Sequence, residues 1–71
     1  MLNGIEALLG EQGVVSSPIP GSIHVGKVRA RGEDWPAVSA VGNPLAVGEV
    51  VLILEVDRGH LVVAPVGDPL V

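Results

Sequence analysis

Lys27, Arg29 and Arg31 stand on alternate residues and make up three of the chain's four cations. Four residues past Arg31 comes Trp35, the only aromatic side chain. Alternate residues of an extended strand point to one side, so the three cations would form a stripe able to hold phosphates or lipid head groups. With Trp35 as a stacking platform, the same stripe would suit a single-stranded nucleic acid or an oligosaccharide. The opposing reading is a solvated hairpin face, with Arg31 partly offset by Asp34. That reading is favoured, because an outward strand face must be polar whatever it does. One aromatic in an acidic chain is thin support for a stacking groove.

Other chemistry finds less. His24 and His60 have no cysteine to join them, and the only nearby carboxylate spacing is Asp57 with His60 across a turn. Cross-strand pairing explains that better than a metal site. Ser16, Ser17, Ser22 and Ser39 would be nucleophiles only with a base fixed beside them, and no motif supplies one. The glycine at Gly26 belongs to no phosphate loop of the G-x-x-x-x-G-K-[ST] kind. Lys27 lies inside a strand pattern and not at a hairpin tip, which argues against a lipoyl- or biotinyl-type modified lysine. No catalytic, cofactor-binding or metal-binding residue is assigned, and no cofactor is expected.

The totals narrow the classes further. At 71 residues the chain is one domain, near the lower limit for folding unaided. Without cysteine there is no disulfide, which leans towards a reducing compartment. The net charge of −4 repels phosphate at long range and argues against a general nucleic-acid binder. The longest apolar run, Val50 to Leu54, is strand-sized, far short of the ~20 residues that cross a bilayer. The start lacks the charged and apolar regions of a signal peptide. Nearly half the residues are apolar, drawn from Val, Leu, Ile and Ala, so the core must be aliphatic.

The elements that would position these residues follow from periodicity. Asn3 and Glu6 have capping-box spacing, Ile5, Leu8 and Leu9 share a face, and Gly10 can end the turn; residues 3–9 read as a short helix packed on something larger. Strand patterns then run over residues 13–16, 23–31, 34–39, 49–57 and 60–65, with a proline-broken loop at 16–22 and a second loop at 40–48. Placing Gly32-Glu33 in a type II′ turn sets Arg31 opposite Asp34, Ala30 opposite Trp35 and Val28 opposite Ala37. Val28, Ala30, Trp35 and Ala37 then face inward, and Lys27, Arg29 and Arg31 outward. Pro36 should sit at an edge or irregularity. With Arg58-Gly59 as the last turn, Val56 opposes Leu61 and Leu54 opposes Val63. Val50, Leu52, Leu54, Val56, Leu61 and Val63 would then line the core, leaving Val51 and Ile53 outside. Five short strands suit a small closed barrel better than a sandwich, which needs about seven strands. The expected class is all-β: a five-stranded OB-like barrel over residues 11–66 with a short helical lead-in over 1–10.

Three stretches carry a resemblance: "LLGEQGVV" (Leu8 to Val15), "GKVRARGEDWPAVS" (Gly26 to Ser39) and "PLAVGEVVLILEVDRGHLVVAPV" (Pro44 to Val66). Together they resemble the C-terminal soluble domain of the NfeD family. The matching positions are Gly10 and Gly13; Gly26 and Val28; Gly32, Glu33, Trp35, Ala37 and Ser39; Leu45, Gly48 and Val51; Leu61, Val63 and Pro65. His24 stands where the family often has proline, "PIPGS" resembles a short insertion, and the family's membrane spans are not in these residues. The resemblance implies an OB barrel that is an interaction module and not an enzyme. It implies a stomatin- or flotillin-like (SPFH) protein as partner, and a cytoplasmic module reaching the membrane through partners or a parent chain's membrane segment.

The expected interaction surface is Val51 and Ile53 together with Pro18, Ile19 and Pro20 of the first loop. The alternative is an OB-type nucleic-acid- or oligosaccharide-binding module using Lys27, Arg29 and Arg31. A third reading is a structural tail that aids assembly of a larger chain.

Overall fold

A computed structural model describes residues 4–66. A 3-10 turn at Gly4–Leu8 leads into five strands: β1 Gln12–Ser17, β2 Gly26–Ala30, β3 Glu33–Ser39, β4 Val50–Asp57 and β5 His60–Pro65. They close into a barrel in the order β1-β2-β3-β5-β4. All pairings are antiparallel except β3 with β5. Closure pairs both flanks of the sheet, which an aliphatic chain this short needs to avoid exposing strand edges. Pro36 lies in the part of β3 that pairs with β2, just before the Ala37–Ser39 segment shared with β5.

The interior follows the alternation of β1 and β2. Gly13 and Val15 point inward from β1, and Gly26, Val28 and Ala30 from β2. Gly26 is required by close approach: a Cβ there would stand 2.2 Å from the Pro18 carbonyl oxygen and 2.7 Å from the Ile19 side chain. Leu8, fully buried, seats the lead-in turn on the barrel, while Ile5 is partly buried against the core. The short segment is thus 3-10 and not α-helical, and Leu9 is half exposed where inward packing was expected. The proposed cap at Asn3 lies outside the described residues. Burying a Leu, Ile or Val side chain contributes roughly 1.5–3 kcal/mol, so Leu8, Ile19, Ile53 and Leu61, all essentially solvent-free, dominate this core.

The two hairpins correct the expected registers in different ways. In β2–β3 the turn residues are Arg31 and Gly32, with φ of 53° and 79°. Two positive φ values make it type I′, not II′. Val28 therefore opposes Trp35, Arg29 opposes Asp34 and Gly26 opposes Ala37. The pairing differs by two residues from the expected one, so every side chain keeps its face. Trp35 remains inward-leaning and partly buried, packed on the core, and its Nε1 donates to the Ala30 carbonyl at 2.9 Å.

In β4–β5 the turn is Arg58-Gly59, also with two positive φ values, and Val56 opposes Leu61 as expected. Beyond that the ladder shifts: Glu55 opposes Val62 but Ile53 opposes Val63, leaving Leu54 as an extra, bulged residue. One inserted residue inverts the facing of everything beyond it. Val51 and Ile53 point inward at 0% and 1% exposure, while Val50 and Leu54 point outward at 44% and 46%. This overturns the expectation that Val50, Leu52 and Leu54 line the core and that Val51 and Ile53 are surface residues.

Candidate interaction surface

The bulge builds an apolar exterior. On the outside of the barrel Val14 of β1 lies directly opposite Val50 of β4, and both are exposed. Gln12 opposes Leu52, which opposes Ala64 of β5 on its other flank. Val62 opposes Val38 of β3 across the parallel ladder. Val14, Val50, Leu52, Ala64 and Val62 thus tile one outer face, with Leu54 raised beside them at the bulge. The Gly10 amide donates to the Ile53 carbonyl at 2.9 Å, which brings the exposed Leu9 to the Leu54 end of β4. Exposed apolar area of this continuity marks contact surfaces in soluble domains.

A second exposed apolar region lies on the loops. Ile19 and Leu45 exchange backbone hydrogen bonds at 3.0 and 2.8 Å and tie the β1–β2 loop to the β3–β4 loop. That bridge turns the Ile19 side chain inward, to 0% exposure, so Ile19 cannot belong to a contact surface as expected. Pro18 and Pro20 remain exposed. Beyond them Ile23, at 82%, is the most exposed large apolar residue described. A concavity of about 250 Å³ lined by Pro20, Gly21, Ser22, Ile23, His24 and Gly42 opens there.

The basic stripe is outward, but two of its three cations are engaged. Arg29 Nη2 donates to Asp34 Oδ2 at 3.2 Å and its Nη1 to the Gly32 carbonyl at 3.3 Å. Arg31 Nε donates to both carboxylate oxygens of Glu11, at 3.0 and 3.1 Å, and its Nη2 reaches Oε2 as well. The expected offset of Arg31 by Asp34 is thereby corrected: Asp34 serves Arg29, and Glu11, twenty residues upstream of Arg31, serves Arg31. The Arg31 hydrogen bonds hold the Glu11 carboxyl below its ordinary range, and Glu11 in turn raises Arg31. Lys27 alone of the three has no ion pair among the described residues.

For catalysis or metal binding the arrangement offers little. The Ser39 and Ser16 hydroxyls are buried and meet no hydrogen-bond partner among the described residues, so no base is set against either. Asp57 and His60 oppose each other across the last turn. Among the described residues no cluster of three His, Cys, Asp or Glu side chains could hold a metal ion. Among them, too, no helix is long and apolar enough to cross a membrane.

Residues 5–65 match the family model of the NfeD-like C-terminal, partner-binding domain. The chain belongs to the NfeD family. Among solved structures it is similar to the C-terminal domain of stomatin operon partner protein 1510-C from Pyrococcus horikoshii, at 27% identity and a TM-score of 0.81, over 94% of this chain and 100% of that one. It is also similar to the soluble domain of a membrane protein implicated in regulation of membrane protease activity from Corynebacterium glutamicum, at 29% identity and a TM-score of 0.74, over 82% and 90% of the two chains. No curated protein matches it. Partner binding is therefore the family role of this NfeD barrel, in keeping with the interaction module that the resemblance implies.

Sequence reasoning missed Val14, Val50 and Leu54 as surface residues. Val50 to Leu54 is apolar at every position, so alternation could not say which half faces out. Val14 alternates correctly within β1, but its apolar neighbour across the ladder becomes visible only with the β1–β4 register.

Proposed function

We propose that this NfeD domain is a non-enzymatic adaptor that docks on a stomatin- or flotillin-like (SPFH) protein and so works at a membrane. The observation that carries the reading is the family match over residues 5–65. The likeness to a stomatin operon partner protein, over nearly all of both chains, supports the class of partner. Exposed apolar side chains on a closed barrel supply a means of contact, and Pro18 and Pro20 on the first loop are candidate contributors. Nucleic acid is a poor alternative, because Arg29 and Arg31 already face carboxylates and the chain carries a net charge of −4.

A pull-down tests the reading. The folded chain, immobilised, should retain an SPFH-domain protein from the same organism and should not retain single-stranded DNA at physiological salt. Loss of the SPFH protein with a well-folded sample would contradict the proposal. Salt-dependent capture of DNA, flattened by Arg29→Ala, would favour the alternative.

A further inference from the structure

We propose that the loop end of the barrel, formed by residues 18–25 and 40–48, dips into the interfacial layer of a lipid bilayer through uncharged apolar contact. The contact needs no protein partner, so it stands or falls apart from the SPFH reading. Three observations converge on it.

The first is where exposed hydrocarbon collects. β1, β3 and β5 run one way along the barrel, and β2 and β4 the other. Both loops therefore leave one end, and the two Arg-Gly turns leave the opposite end. The Ile19–Leu45 bridge, and the Ser39 amide donating to the Gly21 carbonyl at 2.9 Å, hold the loops together. Ile23, Val47, Val41 and Val25, at 82%, 59%, 57% and 54%, are the four most exposed large apolar residues described, and all are on these loops. Loops in water favour Gly, Asn, Asp, Ser and Pro, so four branched aliphatics gathered at one end mark a contact surface.

The second is charge. Residues 12–26 and 35–48 contain none of the chain's four basic and eight acidic side chains. Glu11, Arg31, Glu33, Asp57 and Arg58 gather instead towards the turn end. Two charges flank the loops in sequence. Glu49 turns its carboxylate to the Ala46 amide at 2.8 Å, and Lys27 has no ion pair among the described residues. A loop enters the interfacial layer only when no charge must pass below the headgroups, and this segregation meets that condition. Lys27, just past the first loop, can reach a lipid phosphate from the rim.

The third is the chemistry of the two loops. Protein contact cores draw on aromatic residues, Met and Arg, and residues 18–25 and 40–48 contain none of these. Their polar side chains are Ser22, His24 and Asn43, which suit headgroups. Pro18, Pro20 and Pro44 carry no amide hydrogen. Ile19 and Leu45 satisfy each other's amides and carbonyls, and the Gly48 amide donates to the Val15 carbonyl at 2.9 Å. Each group so satisfied lowers the cost of taking a loop backbone out of water. Hydrocarbon without directional or charged groups matches neutral lipid better than it matches a protein site.

Two measurements test the proposal. In flotation with phosphatidylcholine vesicles at millimolar lipid, the wild-type chain should float with the vesicles. Ile23→Glu and Val41→Glu should each lower the partition coefficient about tenfold. Leu54→Glu, the same change of charge on the barrel wall towards the turn end, should leave it unchanged. All three replace exposed side chains, and unchanged melting temperatures would show that they fold. Independently, the chain has no cysteine, so Ile23→Cys and Arg58→Cys can each carry one environment-sensitive fluorophore. On adding vesicles the label at position 23 should shift to the blue, and the label at position 58 should not. Failure of the wild type to float, an equal loss in Leu54→Glu, or equal shifts at the two labels would each overturn the proposal. So would binding that requires phosphatidylserine, or a self-dimer in lipid-free sedimentation that Ile23→Glu dissolves. Vesicle binding without SPFH retention would leave this contact standing and remove the adaptor role. SPFH retention without vesicle binding would do the reverse.

Discussion

The β2–β3 and β4–β5 hairpins are built alike at their tips and differently in their bodies. Each turns through an Arg-Gly pair with both φ values positive, and each presents an Arg in the left-handed region. Yet β2–β3 runs in unbroken register, whereas β4–β5 carries the Leu54 bulge. The unbroken hairpin puts its charges outside. The bulged one puts hydrocarbon outside, and so turns a strand that would be wholly buried on one face into a surface. A single extra residue thereby separates a structural hairpin from a candidate binding face.

The largest consequence is an asymmetry between neighbours. Ile53→Glu places a carboxylate in the solvent-free interior, at a cost well above the ~3–5 kcal/mol that a domain of this size has in reserve. It should abolish cooperative folding in a denaturant titration. Leu54→Glu, one residue away and half exposed, should change stability by less than about 1 kcal/mol. Similar effects at the two positions would remove the distinction between the hairpins.

A smaller effect separates the tips. Arg in the left-handed region costs roughly 1–2 kcal/mol, and Asn less. Arg58→Asn should stabilise by about 0.5–1 kcal/mol in chemical denaturation, since Arg58 makes no ion pair among the described residues. Arg31→Asn gains the same turn preference but gives up Glu11, so its net gain should be smaller. Equal gains would mean that the Glu11 contact contributes nothing.

The smallest effect is in acid. Arg31 holds the Glu11 carboxyl below its ordinary value, chiefly by hydrogen bonding. A carboxylate depressed on folding contributes stability above its unfolded pKa and loses it as the pH falls through the folded one. Glu11→Gln should therefore flatten the fall in stability between about pH 4.5 and more acidic conditions, and leave the slope near neutrality unchanged. Melting curves across that range read it directly.

Much of the barrel is legible in local pattern. The alternation of β1 and β2, the proline and glycine punctuation and the spacing of five short strands are enough for an all-β closed barrel. The facing of Val28, Trp35 and Ala37 survives a wrong turn type because the register error was even. The facing of Val51 and Ile53 does not survive, because a bulge changes parity and "VVLIL" offers no alternation to reveal it. Ile19 is hidden for a different reason. Its burial depends on a bridge to Leu45, twenty-six residues away, and no local pattern reports that contact. The Arg31–Glu11 pair is likewise long-range, set by the β1–β2 packing and not by the hairpin that carries Arg31.

The central structural claim is that Leu54 bulges out while Ile53 turns in. The chain has no cysteine, so a single introduced thiol reports its own position. Leu54→Cys should react with a soluble thiol reagent at close to the rate of a free cysteine. Ile53→Cys should be protected by orders of magnitude, opening only with the barrel itself. Equal rates, or a faster reaction at position 53, would contradict the bulge and the apolar outer face built on it.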